Sequence, residues 1–190
     1  MNETKPWMPP FALMAGMAAH GLSWLLLALT PWSSVPGLTF PALAWVHLVA
    51  LGWLTMTALA VMVHVIPGFL DTDWELEPVA RWALLPYGVG TALLVSAFLG
   101  IGPWAFQWGA GVLIASLVSF MVPAFITMLR YQVPAGTKVP YRFAFTSVLT
   151  ALLLAAILGG TMAWALAGAP WPHLLNLLLP LHAILAGGGW

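Results

Sequence analysis

Five histidines carry most of the chemistry this chain could do: His20, His47, His64, His173 and His182. Histidine is rare inside membrane helices, and there it faces a partner or a cofactor. The chain has no cysteine, which excludes thiolate ligands, iron–sulfur clusters and disulfides. A closed zinc site wants about four N, S or O ligands. Without cysteines or carboxylates inside the apolar runs, that number cannot be assembled. Haem needs only one or two axial imidazoles, and its apolar ring suits a pocket at lipid depth. The histidines therefore point to haem iron, bound as haem b. Copper is the competing metal: Met14, Met17 and His20 follow at i, i+3, i+6, and Met62 sits two before His64. Thioether with imidazole suits Cu(I), although methionines at helical spacing also serve as adaptable packing.

The elements that must position these side chains are membrane helices. Of 190 residues, 62% are hydrophobic and 5% charged, against about 25% charged in a soluble domain. The apolar runs are continuous rather than alternating, which argues for helices over a β-barrel. The expected fold is all-α: one polytopic domain of six transmembrane helices, with both termini cytoplasmic. The spans are read as 10–30, 41–65, 81–101, 103–129, 142–167 and 172–189, each near the roughly 20 residues a bilayer requires. Pro67 and Gly68 read as the stop of the second span. The N-terminus lacks a basic region and a cleavage site, so the first run reads as a retained helix. The last span ends in GGGW without a polar tail, so it is frayed there or the natural chain continues past Trp190.

Six spans put every formal charge on one side. That side includes the acidic loop Gly68–Arg81 and the basic loop Arg130–Arg142. Lys and Arg mark it as cytoplasmic in an inner cell membrane. The twelve tryptophans cluster near span ends, Trp74, Trp82 and Trp104 among them, as an interfacial belt would. With zero net charge, nucleic acid is not a partner. The partners expected are the lipid bilayer, a redox partner or another membrane subunit, and a second copy in a homodimer.

Helical rise then sets the depth of each histidine. From the outer end of its span, His47 lies roughly 9 Å deep, and His20 and His182 roughly 15 Å. These three can share one layer. His64 lies near the cytoplasmic end of the second span, about 25 Å from His47, so one cofactor cannot bind both. His47 is the first ligand candidate, with His20 or His182 opposite it. Membrane histidines also serve as hydrogen-bonded packing residues, and the small residues near them (Gly16, Ala50, Ala60) also suit close helix packing. No charged residue inside a span offers a proton relay. No nucleophile–base set or phosphate-binding glycine loop is present, since Gly100, Gly102 and the terminal glycines read as turn or packing positions.

The stretch His47–Pro67 resembles a helix of the haem–copper oxidase subunit I superfamily, with its nitric oxide reductase relatives, and is similar to the multi-pass haem proteins of the nitric-oxide-response family. The shared features are His47 at the head of an apolar helix, Gly52 and Thr55 in the next turns, and Ile66-Pro67 about twenty residues on. In that superfamily ligand-bearing helices recur every four spans, which matches His47 and His182; HLVALGW and HAILAGGGW also look alike. The resemblance implies that His47 is a low-spin haem ligand and that His182 occupies a metal-site helix. The departures matter equally. His182 is followed by Ala183 and Ile184 instead of Pro-Glu, no adjacent His-His pair exists, and the later spans are missing. Oxygen reduction and proton pumping are therefore not expected. The function expected is electron transfer or binding of a diatomic gas, nitric oxide or oxygen. The alternatives are a copper or small-solute transporter and a non-catalytic assembly subunit.

Overall fold

A computed structural model describes residues 8–30, 39–70, 72–130, 139–168 and 174–189, all helix or short turns. The helices are α1 (Met8–Leu29), α2 (Phe40–His47), α3 (Met56–Leu70), α4 (Glu77–Phe98), α5 (Pro103–Arg130), α6 (Val139–Leu166) and α7 (Leu174–Ile184). A π-helical segment, Leu48–Thr55, joins α2 to α3 in one continuous rod, and a second, Leu185–Gly189, extends α7. Five rods are long and apolar enough to cross a membrane: Pro10–Leu29, Phe40–Leu70, Glu77–Phe98, Pro103–Arg130 and Pro140–Leu166. Leu175–Gly189 is a shorter apolar helix.

The starts of the rods follow proline chemistry. Thr39 is extended before α2, and Pro41 stands in its first turn, where a missing N–H costs least. Glu77 and Pro78 open α4 in the same way, with Glu77 at the positive end of the helix dipole. Pro67 does not end its helix as expected: α3 runs through it to Leu70. A proline at 67 leaves the carbonyl of Val63 without its helical donor. The Trp74 indole N–H donates to that carbonyl at 2.6 Å, while its ring packs edge-on against Phe120. Trp74 thus repairs a helix instead of only anchoring an interface. Trp82 and Trp104 are half exposed, as a belt requires.

The helices pack in a relay. The α2–α3 rod lies against α1 and α4; α4 packs most closely on α5, α5 on α6, and α6 on α7. In lipid, helices associate by close packing and hydrogen bonds instead of hydrophobic transfer. Gly90 and Gly109 allow the closest crossing: a Cβ at Gly109 would lie 2.7 Å from the Leu94 nitrogen. Tyr87, Leu59, Ile66, Leu117, Phe120 and Met121 fill the centre.

The charged end is tied together. Arg130 bonds Glu75 at 2.8 Å, the Glu75 amide donates to Thr127 Oγ1, and Arg81 pairs with Glu77. Acidic and basic segments that are far apart in sequence therefore meet at one end of the bundle.

Candidate functional site

His47 is the last residue of α2 and sits about 10 Å along the rod from Phe40. His182 sits about 12 Å along α7 from Leu174. Both helices begin at the end of the bundle opposite the ion pairs, so the two histidines reach the same level. Their imidazoles face one another with ring centres 6.4 Å apart and planes inclined by 12°.

Each ring is fixed by a carbonyl. His47 Nδ1 bonds the Leu43 carbonyl oxygen at 2.7 Å, and His182 Nδ1 bonds the Ala155 carbonyl oxygen at 2.8 Å. A carbonyl only accepts, so in both rings Nδ1 carries the proton and Nε2 keeps its lone pair. No hydrogen bond among the described residues occupies either Nε2. Metal-bound histidines show this arrangement: the second nitrogen donates to a carbonyl, which sets the tautomer and the ring orientation. The two rings lie 6.4 Å apart with their planes nearly parallel, so they flank one level of the bundle.

The surroundings are apolar and partly aromatic. Phe98 lies 4.9 Å from the His47 ring, and Phe106 packs edge-on to Phe98 at 5.0 Å. Phe40 closes the cluster at 6.0 Å from Phe98. Gly159 makes the seat of His182, since a Cβ there would lie 2.9 Å from His182 Cε1. The two histidine segments do not pack backbone to backbone to any extent; α2 leans on α4 and α7 on α6. Both histidines also lead into π-helical turns, Leu48–Thr55 directly and Leu185–Gly189 three residues on. Such bulges concentrate at functional sites. Tyr87, buried in α4, donates its hydroxyl to the Leu51 carbonyl inside the first of them at 3.2 Å.

The other candidates lie apart. The His20 ring lies against Trp53 with centres 3.7 Å apart and planes tilted by 34°, about 9 Å further along the second rod than His47. Its Nε2 accepts from Trp24 at 3.1 Å, and its Nδ1 is buried with no partner among the described residues. Met14 and Met17 turn outward from α1, 62% and 73% exposed. His64 is exposed on α3. His173 falls outside the described residues. No group of three or more His, Cys, Asp or Glu gathers among the described residues. The structure thus brings together His47 and His182 and not His20 or His64. Sequence reasoning missed Phe98, Gly159 and the Ala155 carbonyl. Of these, only the Gly159-Gly160 pair in mid-helix left a signal.

No family model, curated protein or solved structure matches the chain.

Proposed function

We propose that this chain is a membrane haem b protein that transfers electrons, with His47 and His182 as the axial pair. The observation that carries this reading is two parallel imidazoles 6.4 Å apart with both Nδ1 atoms held on carbonyls. With no cysteine to form thioether links, the group would be held by ligation and packing alone. Bound there, haem supplies a one-electron couple. With both imidazoles holding the group, no position would stay open on it, which would favour electron transfer over ligand capture at rest.

The chain's own residues do the rest. The Leu43 and Ala155 carbonyls keep each Nδ1–H in place and raise the basicity of Nε2. Phe98 braces the His47 ring, and with Phe106 and Phe40 it excludes water from that side. Water exclusion and low dielectric set the potential of such a centre. In topology, we place the end bearing Arg81 and Arg130 in the cytoplasm of the inner cell membrane, following the Lys/Arg bias. With α7 as a sixth span, both termini lie on that side.

The deciding experiment is the absorption spectrum of the detergent-purified protein, oxidised and reduced. A sharp low-spin Soret and α band, lost in His47→Ala and kept in His20→Ala, is the expected result. A colourless protein from haem-replete cells refutes the reading and favours an assembly subunit. A copper-loaded, haem-free protein favours the transporter.

A further inference from the structure

We propose that the cavity between α1, the second rod and α4 is a lipid site, holding one acyl chain of a bilayer lipid from the leaflet at the uncharged end of the bundle. This site stands apart from the haem reading, because neither His47 nor His182 lines it.

The cavity has a volume of about 520 Å³, within the roughly 300–1,000 Å³ usual for ligand sites. Small residues make the room: Ala15, Ala18 and Ala19 on α1, Gly52 on the π-helical segment, and Gly88 and Ala92 on α4. Its floor is buried at Gly52, Met56, Thr91 and Val95, while Ala18, Leu22 and Ala92 at its rim are exposed. The exposed rim faces the bilayer. α1 and α4 also touch one another directly, so this is a slot within the bundle and not the place of a missing helix.

Dimensions and polarity select the occupant. Along α4 the slot runs from Gly88 to Leu99, about 17 Å, and along α1 from Ala15 to Leu29, about 21 Å. Half of a hydrocarbon core of about 30 Å is about 15 Å. The slot therefore spans one leaflet, from the middle of the bilayer to its surface. α1 and α4 both end at that surface, away from Arg81 and Arg130. A bound water needs two to four polar partners. Among the described residues the lining offers only the hydroxyls of Thr91 and Ser96, and Thr91 already donates to the Tyr87 carbonyl. No charged side chain among them lines the slot, so a charged headgroup stays outside and recognition rests on the chain. Ser96, two residues before the end of α4, sets a hydroxyl donor at the level of a lipid's ester carbonyls. Within a bilayer, apolar groups associate by close contact instead of by leaving water. A protein slot packs more densely than a fluid chain environment, which holds the chain in place. Its occupant lies on the main chain at Gly52, in the π-helical turn that follows His47.

The test is native mass spectrometry of the detergent-purified protein exchanged into palmitoyl-oleoyl phosphatidylcholine. One lipid per chain should survive delipidation. Ala18→Phe and Ala92→Phe each set a ring into the slot from its exposed rim, and should lower that retention by about fivefold or more. Ala115→Phe, at an exposed position of α5 outside the slot, should leave it unchanged. Phosphatidylglycerol with the same chains should be retained equally, and high salt should change neither. No retained lipid, or equal retention in all three variants, overturns the proposal. So does retention that requires the anionic headgroup and falls with salt, which places the lipid at the charged end. A lipid-free dimer that both slot variants dissociate puts a second copy in the slot and also overturns it. Should one slot variant fail to fold, the other decides. Should both fail, a phosphatidylcholine with a photoactivatable diazirine in its chain decides with the wild type: crosslinks gathered on α1 and α4 around Ala18 and Ala92 support the proposal, and crosslinks spread over all exposed faces overturn it. A colourless protein that keeps its lipid refutes the haem reading alone, and a haem-loaded protein without lipid refutes this site alone.

Discussion

Gly159→Ala is the most discriminating single-atom change in this protein. A Cβ there would lie 2.9 Å from His182 Cε1, 3.3 Å from Nδ1 and 3.7 Å from Nε2. Carbon atoms settle at about 3.5–4.0 Å, so the ring must retreat by about 0.6–1.1 Å. Ligand bonds tolerate about 0.2 Å. The retreat also pulls Nδ1 from the Ala155 carbonyl, now 2.8 Å away. Overpacking of this kind costs about 1–3 kcal/mol. At about 1.4 kcal/mol per factor of ten, His182 ligation weakens by about 5- to 150-fold. The helix itself does not suffer, because alanine is favoured over glycine in a helix interior by about 0.8–1.0 kcal/mol. The expected variant is therefore folded and haem-loaded, with a measurable high-spin fraction in its absorption and electron paramagnetic resonance spectra. Gly111→Ala is the control, since a Cβ there meets nothing within 4 Å. If Gly159→Ala retains a wild-type low-spin spectrum, His182 is not a ligand seated on α6, and the axial assignment is wrong.

Other perturbations test other parts of the structure. His20→Ala should leave haem content and spectrum unchanged, since its ring lies on Trp53 and its Nε2 is taken by Trp24; loss of colour would move the ligand assignment to His20. Tyr87→Phe removes one of two donors to the Leu51 carbonyl, the Met56 N–H remaining, and should destabilise by about 0.5–1.5 kcal/mol in a thermal or denaturant titration, whereas no change would mean that the Tyr87 hydroxyl contributes nothing net there. Gly109→Val drives side-chain carbon into the α4 backbone at Leu94 and should lower the melting temperature or abolish expression, at a cost of about 1–3 kcal/mol or more. Glu75→Gln breaks an exposed pair with Arg130 and should cost at most about 1 kcal/mol, less in high salt.

The all-helical architecture was legible because continuous apolar runs cannot be satisfied in lipid by any other short-range structure. Five of the expected spans lie close to the observed rods, with ends shifted by a few residues. The largest local error was at Pro67. Proline removes a donor, and sequence reasoning ends a helix there. The indole of Trp74, on a loop eleven residues after Val63, supplies the missing donor from outside the helix. That repair depends on where the loop folds back, which local propensity does not encode.

The pairing of His47 with His182 was legible in depth but not in direction. Rise per residue places a side chain at a level of the bilayer with little ambiguity, and three histidines shared one layer on that argument. Azimuth is a different matter. A helix turns about 100° per residue, so a single inserted residue, or a π turn such as Leu48–Thr55, re-aims everything beyond it. Trp53 and the second rod take the His20 ring, while Gly159 leaves the space that lets His182 approach α6. Neither contact can be derived from the helix that bears the histidine. It is fixed by a neighbour's choice of a large or an absent side chain. The residues that decide which histidines meet are therefore not the histidines but the surfaces they lie against, which is why the test of this site begins at a glycine.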